Sequence, residues 1–139
     1  MKAIIWTCLL ASVCFTYLAC NQDNSINKTF NPGEIIELKI GEQAAIKGSN
    51  LELTFVDLSE DSRCPSSVVC IWEGRAIVNL QLKLNNDLEE IELISRSGHP
   101  QIAEKSIGDW DIRLVNVSPY PETQTPIEKE KYIISLVVE

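Results

Sequence analysis

Few residues in this chain are equipped for chemistry. Its 139 residues hold five Cys, one Met and one His. His99 could act as a base towards Ser95 or Ser97, but Ser97-Gly98-His99-Pro100 reads first as a turn and no strained nucleophile elbow surrounds either serine. Zinc takes four nitrogen or sulfur ligands, or three and a water, and copper is similarly demanding. A lone His beside a paired Cys64 and Cys70 meets neither requirement. The acidic clusters Asp57-Glu60-Asp61 and Asp87-Glu89-Glu90 follow no calcium-loop pattern and read as solvated faces. With 20 Asp plus Glu a glycosidase-type carboxylate pair stays open, yet nothing singles out two. No catalytic residue, metal or cofactor is assigned from the sequence.

The cysteines divide by position. Lys2 supplies a short positive start, and Ala3 to Ala19 is an uncharged, mostly apolar run with the length of a signal-peptide core and its cleavage region. It passes at Cys20 into Asn21-Gln22-Asp23-Asn24-Ser25, without the basic flank of a stop-transfer helix. Ala19-Cys20 after such a run resembles a bacterial lipobox, with Tyr17 where Leu is usual. The resemblance implies that residues 1–19 are removed and that Cys20 carries the acyl chains. An ordinary secretory signal and an uncleaved anchor are the alternatives. Cleavage would discard Cys8 and Cys14, assign Cys20 to the lipid, and leave Cys64 and Cys70. It would also remove Lys2, leaving 11 basic against 20 acidic residues, so −8 becomes −9. That balance disfavours nucleic acid and anionic lipid head groups, which both need a basic footprint.

An exported chain meets an oxidising space, so Cys64 and Cys70 are expected to pair. Five residues separate them, and Pro65 with Ser66 and Ser67 favours the required bend. Closing so short a loop stabilises by roughly 2 kcal/mol in the chain-entropy model. A low-pKa redox pair would instead favour Cys-x-x-Cys at a helix start. If a two-residue period runs from Cys70, then Cys70, Trp72, Gly74, Ala76, Val78, Leu80 and Leu82 share one face. On that reading Trp72 packs near the sulfurs on the core side, and Gly74 marks a bulge. Asp61 and Arg63 are expected to set the preceding turn, with Arg63 paired to a nearby acid. Pro119-Tyr120-Pro121 fixes an extended loop, in which Tyr120 is either a lid over the fold or a recognition aromatic.

The elements that must position these residues are strands. Ile36, Leu38 and Ile40 alternate with polar residues, as do Leu51, Leu53 and Phe55, then Trp110, Ile112 and Leu114, then Tyr132, Ile134, Leu136 and Val138. Turn chemistry separates the runs at Asn31-Pro32-Gly33, Lys47-Gly48-Ser49-Asn50, Asn85-Asn86-Asp87 and Gly108-Asp109. One helical turn is expected within residues 101–107. Residues 20–29 read as a polar tether, and residues 30–139 as one all-β domain. The expected fold is an antiparallel, immunoglobulin-like β-sandwich of seven to nine short strands with one short-loop disulfide. A small closed barrel is the alternative.

Asp61-Ser62-Arg63-Cys64-Pro65, then Cys70, Trp72 and Gly74, resembles a signature of small uncharacterised exported bacterial proteins, often lipoproteins. Val117-Ser118-Pro119-Tyr120-Pro121, Pro126-Ile127 and Tyr132 extend the resemblance towards the C-terminus. It implies a domain and a compartment, and no activity. The chain is therefore expected to be a lipoprotein of the bacterial cell envelope, held at the outer membrane through Cys20. A non-catalytic binding or structural module, touching an envelope protein or a glycan, is the first expectation. An envelope hydrolase, or a small inhibitor or chaperone of a secreted enzyme, is the alternative.

Overall fold

The computed structural model describes residues 27–139. Nine strands form two sheets packed face to face: β1 (Asn27–Phe30), β2 (Ile35–Lys39), β3 (Gln43–Ile46), β4 (Leu51–Asp61), β5 (Ala76–Leu84), β6 (Asp87–Ser95), β7 (Glu104–Ile107), β8 (Trp110–Ser118) and β9 (Ile133–Val138). The first sheet has the order β1-β3-β4-β5-β6 and the second β2-β9-β8-β7. Both are open, so the fold is a β-sandwich and not a closed barrel. All pairings are antiparallel except β1 with β3, which is parallel. The sheet begins at Asn27, inside the stretch read as tether. Cys20 lies outside the described residues.

The two-residue period puts one face of each strand into a shared core. Ile36 and Leu38 of β2, Leu53 and Phe55 of β4, Leu80 and Leu82 of β5 and Ile134 and Leu136 of β9 are all essentially without solvent contact. Each such side chain contributes roughly 1.5–3 kcal/mol on burial. The period slips twice. Register shifts at Val56 and Ser59 carry β4 from Phe55 to Leu58 as successive inward residues, and a shift at Val115 carries β8 from Leu114 to Val117. Each extra residue is turned outward, as in a β-bulge. β9 lies between β2 and β8, and there Ser135 and Val137 of the outer face are buried as well.

Short connections follow the turn residues. Asn85 takes φ 58° in the two-residue β5–β6 hairpin, a backbone that Asn tolerates better than most residues. The helical turn expected within 101–107 is a 3₁₀ turn over Pro100–Ala103, and Glu104–Ile107 is strand β7. Tyr132 is buried just before β9 rather than inside it.

The Cys70 strand expectation is overturned. The β4–β5 ladder reaches Asp61↔Ala76, and one further contact joins the Ser62 N–H to the Arg75 carbonyl. Residues 63–74 are a loop. With no partner strand, alternation no longer points anything at the core. Gly74 therefore marks no bulge. It lies where the two legs of the loop cross, and a Cβ there would overlap the Ser62 carbonyl oxygen. Gly74→Ala is expected to force the legs apart and lower the thermal midpoint far more than Gly48→Ala. Gly48 has φ 80° and open space around it, so its substitution costs only about 1 kcal/mol of left-handed backbone strain. Equal midpoints in thermal unfolding would refute the crossing argument.

Candidate functional site

The Cys64–Cys70 loop leaves the sandwich at the end where β4, β5, β8 and β9 meet. Asp61 closes β4 and points back inside. Two residues later the Arg63 guanidinium turns onto it: Nε donates to Asp61 Oδ1 at 2.7 Å and Nη2 to Oδ2 at 2.7 Å. The Arg63 N–H donates to the same carboxylate at 3.3 Å. Only 8% of either side chain is exposed. The remaining donors cross to the other sheet. Nη1 reaches the Val117 carbonyl at 2.6 Å, and Nη2 also reaches the Pro119 carbonyl at 2.9 Å. Tyr132 Oη donates to Asp61 Oδ2 at 2.8 Å. The guanidinium sits 5.0 Å from the Tyr120 ring centroid, within cation–π range.

This arrangement settles the charges of its members. Burial pushes the Asp61 carboxyl up, but the hydrogen bonds from Arg63 and Tyr132 and the Arg63 charge outweigh it, and the net direction is down. Burial, then the hydrogen bond to Asp61 and its charge, push the Tyr132 phenol up to about 12. Asp61 is thus held ionised and saturated with donors, which suits a structural clamp.

The loop is pinned at further points. Cys64 and Cys70 are bonded, with their Cα atoms 5.9 Å apart. Ser66 and Ser67 donate their N–H groups to the Pro121 and Glu122 carbonyls at 3.0 and 3.2 Å. Ser62 Oγ accepts from the Arg75 N–H at 3.2 Å and donates to Glu60, which pairs with Arg75. The segment around Arg63 and the Pro119-Tyr120-Pro121 segment, 56 positions apart at their Arg63–Pro119 contact, are therefore one site.

Beyond these pins the loop projects its apolar residues into solvent. Val69 is 100% exposed, Ile71 93% and Trp72 84%, with Val68 beside them. The core-side position expected for Trp72 and for the bridge is overturned. Cys64 is half-buried and Cys70 exposed, because this segment lies past the last rung of the ladder. Tyr120 is 54% exposed beside Arg63, so it stacks on the clamp rather than roofing the fold, while Pro121 is buried. Cys64 to Trp72 contains no charged residue, in a chain that is 23% charged.

The other candidates are dispersed. His99 opens the 3₁₀ turn, with its N–H on the Arg96 carbonyl, and no hydrogen bond among the described residues joins its ring to Ser95 or Ser97. The Asp57-Glu60-Asp61 cluster resolves into three ion pairs, with Lys129, Arg75 and Arg63. Among the described residues no three His, Cys, Asp or Glu side chains come together to hold a metal, and no helix is long and apolar enough to cross a membrane. No protein-family model matches the chain, and no curated protein or solved structure matches it either.

Tyr132 was legible only as a core aromatic. Its hydroxyl was the missed signal, because a buried phenol generally finds a polar partner. The Val117 and Pro119 carbonyls carry no side-chain signature at all.

Two outcomes test the clamp. Arg63→Ala strands a buried carboxylate and is expected to cost about 3 kcal/mol or more in denaturant unfolding. Arg63→Lys should recover little, since an ammonium cannot fork to both sheets. The pH dependence has two limbs. The Asp61 contribution is full above its ordinary 3.8 and is lost as pH falls through the lower folded value. Tyr132 stays protonated in the fold from 10 to about 12, so stability falls as pH rises through that window. Urea midpoints across pH should show the alkaline decline weakened in Tyr132→Phe. An unchanged decline would assign it elsewhere.

Proposed function

We propose that this protein is a lipid-anchored component of the bacterial cell envelope, held at the outer membrane through Cys20, and that it works by contact rather than by turnover. The observation that carries this reading is the clamped loop. Contiguous exposed apolar residues on a folded domain mark a contact surface. Here they stand on a segment fixed by a disulfide, an arginine fork and two main-chain hydrogen bonds to residues 121–122. A loop fixed in advance loses little conformational freedom when it meets its partner. The Cys64–Cys70 bond also suits an oxidising compartment outside the cytoplasm.

The Ala19-Cys20 pattern supports the anchor, and a second acyl chain makes such anchoring stable. The hydrolase alternative draws no support from His99, whose ring makes no hydrogen bond to Ser95 or Ser97 among the described residues. An inhibitor would use the same rigid loop against a secreted enzyme and would co-purify with it in fixed ratio.

Cys20→Ala is expected to abolish incorporation of labelled fatty acid and to release the protein from the membrane fraction. Continued labelling would overturn the anchor. In the same cells His99→Ala should leave the phenotype of the parent protein intact, and its loss would favour the hydrolase.

A further inference from the structure

We infer that the Cys64–Cys70 loop rests in the interfacial zone of the bilayer that holds Cys20, so that the domain meets the membrane at two points. The inference rests on the lipid anchor proposed above and names what the contact surface touches.

Direction comes from the strand register. β1 runs parallel to β3, with Asn27 opposite Gln43 and Phe30 opposite Ile46. β3 runs antiparallel to β4, with Gln43 opposite Thr54 and Ala45 opposite Glu52. Stepping back from Asn27 therefore means climbing β4 from Thr54 towards Asp61. The chain enters the first sheet from the end that carries the loop.

Length then limits the gap. Cys20 to Asn27 is seven Cα steps, which span at most about 24 Å. The Asn27 level corresponds to Gln81 on β5, five residues from the last rung at Ala76, or about 17 Å. Only about 7 Å of reach is left beyond that rung, and the loop itself projects into it. A single helix with its side chains is about 10–12 Å across. A partner protein therefore does not fit between the loop end and the membrane, whereas the head-group layer does.

Chemistry selects the orientation that length permits. Laying a sheet face on the bilayer would bury Glu37 and Lys39, or Glu52 and Lys83. Setting the loop end down brings Val69, Ile71 and Trp72, with no charge between Cys64 and Trp72 to desolvate. Tryptophan favours the membrane–water interface because its ring is apolar and its indole N–H still finds a polar partner. Without residues 1–19 the chain carries 11 basic against 20 acidic residues, or −9, so the contact is apolar and suits zwitterionic head groups rather than anionic ones.

The test places a photoreactive p-benzoylphenylalanine at Trp72 of the full chain, in bacterial cells fed radioactive phosphate. A second version places it at Leu88, an exposed apolar residue at the opposite end of the sandwich. Irradiation is expected to give a phosphate-labelled lipid adduct at position 72 that position 88 lacks. A discrete protein adduct at 72, equal lipid labelling at both positions, or no adduct at 72 would overturn the inference. Fatty-acid labelling of the same samples reports the anchor separately. Label at Cys20 without a lipid adduct at 72 removes the loop contact alone. An adduct without that label removes the anchor, and the two-point arrangement with it.

Discussion

Asp61 and Arg63 stand where β4, β5, β8 and β9 end together, and their pairing links what those strands would otherwise leave separate. The two sheets share an apolar core, which is indifferent to how the loops at its rim are arranged. The guanidinium supplies the direction that core packing lacks. It binds a carboxylate from one sheet, a carbonyl of the other and the Pro119 carbonyl just beyond it, and each of its donors has one geometry that satisfies it. Ion pairs removed from water gain little over apolar replacements of similar shape, because desolvation offsets the attraction. This one defines a position rather than adding much stability. Both loops at the rim take their path from it.

From that position the exposed residues follow. Residues 63–74 have no strand to pair with, so their backbone depends on the disulfide, on the Pro121 and Glu122 carbonyls and on the crossing at Gly74. These supports all lie at the base. The tip is left to face outward, and its side chains are apolar. A flexible loop with the same residues would fold them inward against the nearest core. Rigidity at the base is thus the reason that Ile71 and Trp72 stay accessible.

The sandwich was legible in the sequence wherever one face of a strand is buried, because burial imposes a period of two. Leu51, Leu53 and Phe55, or Val78, Leu80 and Leu82, need no tertiary information to be read. The reading failed where that cause is absent. β1 and β7 are held largely by main-chain pairing at sheet edges, and Asn27-Lys28-Thr29 and Glu104-Lys105-Ser106 carry no apolar alternation. β6 is equally faint, with only Ile91 and Leu93 turned fully inward. Trp72 was misplaced by running the β5 period past its last rung. At the site, an acid partner for Arg63 was readable but not its identity as Asp61, and the disulfide was readable from the expectation of export. The meeting of that segment with Pro119-Tyr120-Pro121 was not readable, since it rests on backbone carbonyls that any residue could supply.

The position of β9 has a consequence for how the chain acquires its shape. β9 is the latest strand in sequence, yet it sits inside its sheet, paired with β2 on one side and β8 on the other. β2 therefore has no partner in that sheet for about a hundred residues of synthesis. The first sheet can assemble as a meander from β3 to β6 and the β7–β8 hairpin can form against it, but β2 and β8 are joined into one sheet only when β9 arrives. A chain built this way stays open through most of its synthesis, and it commits to its final form only after the residues of β9 have been made.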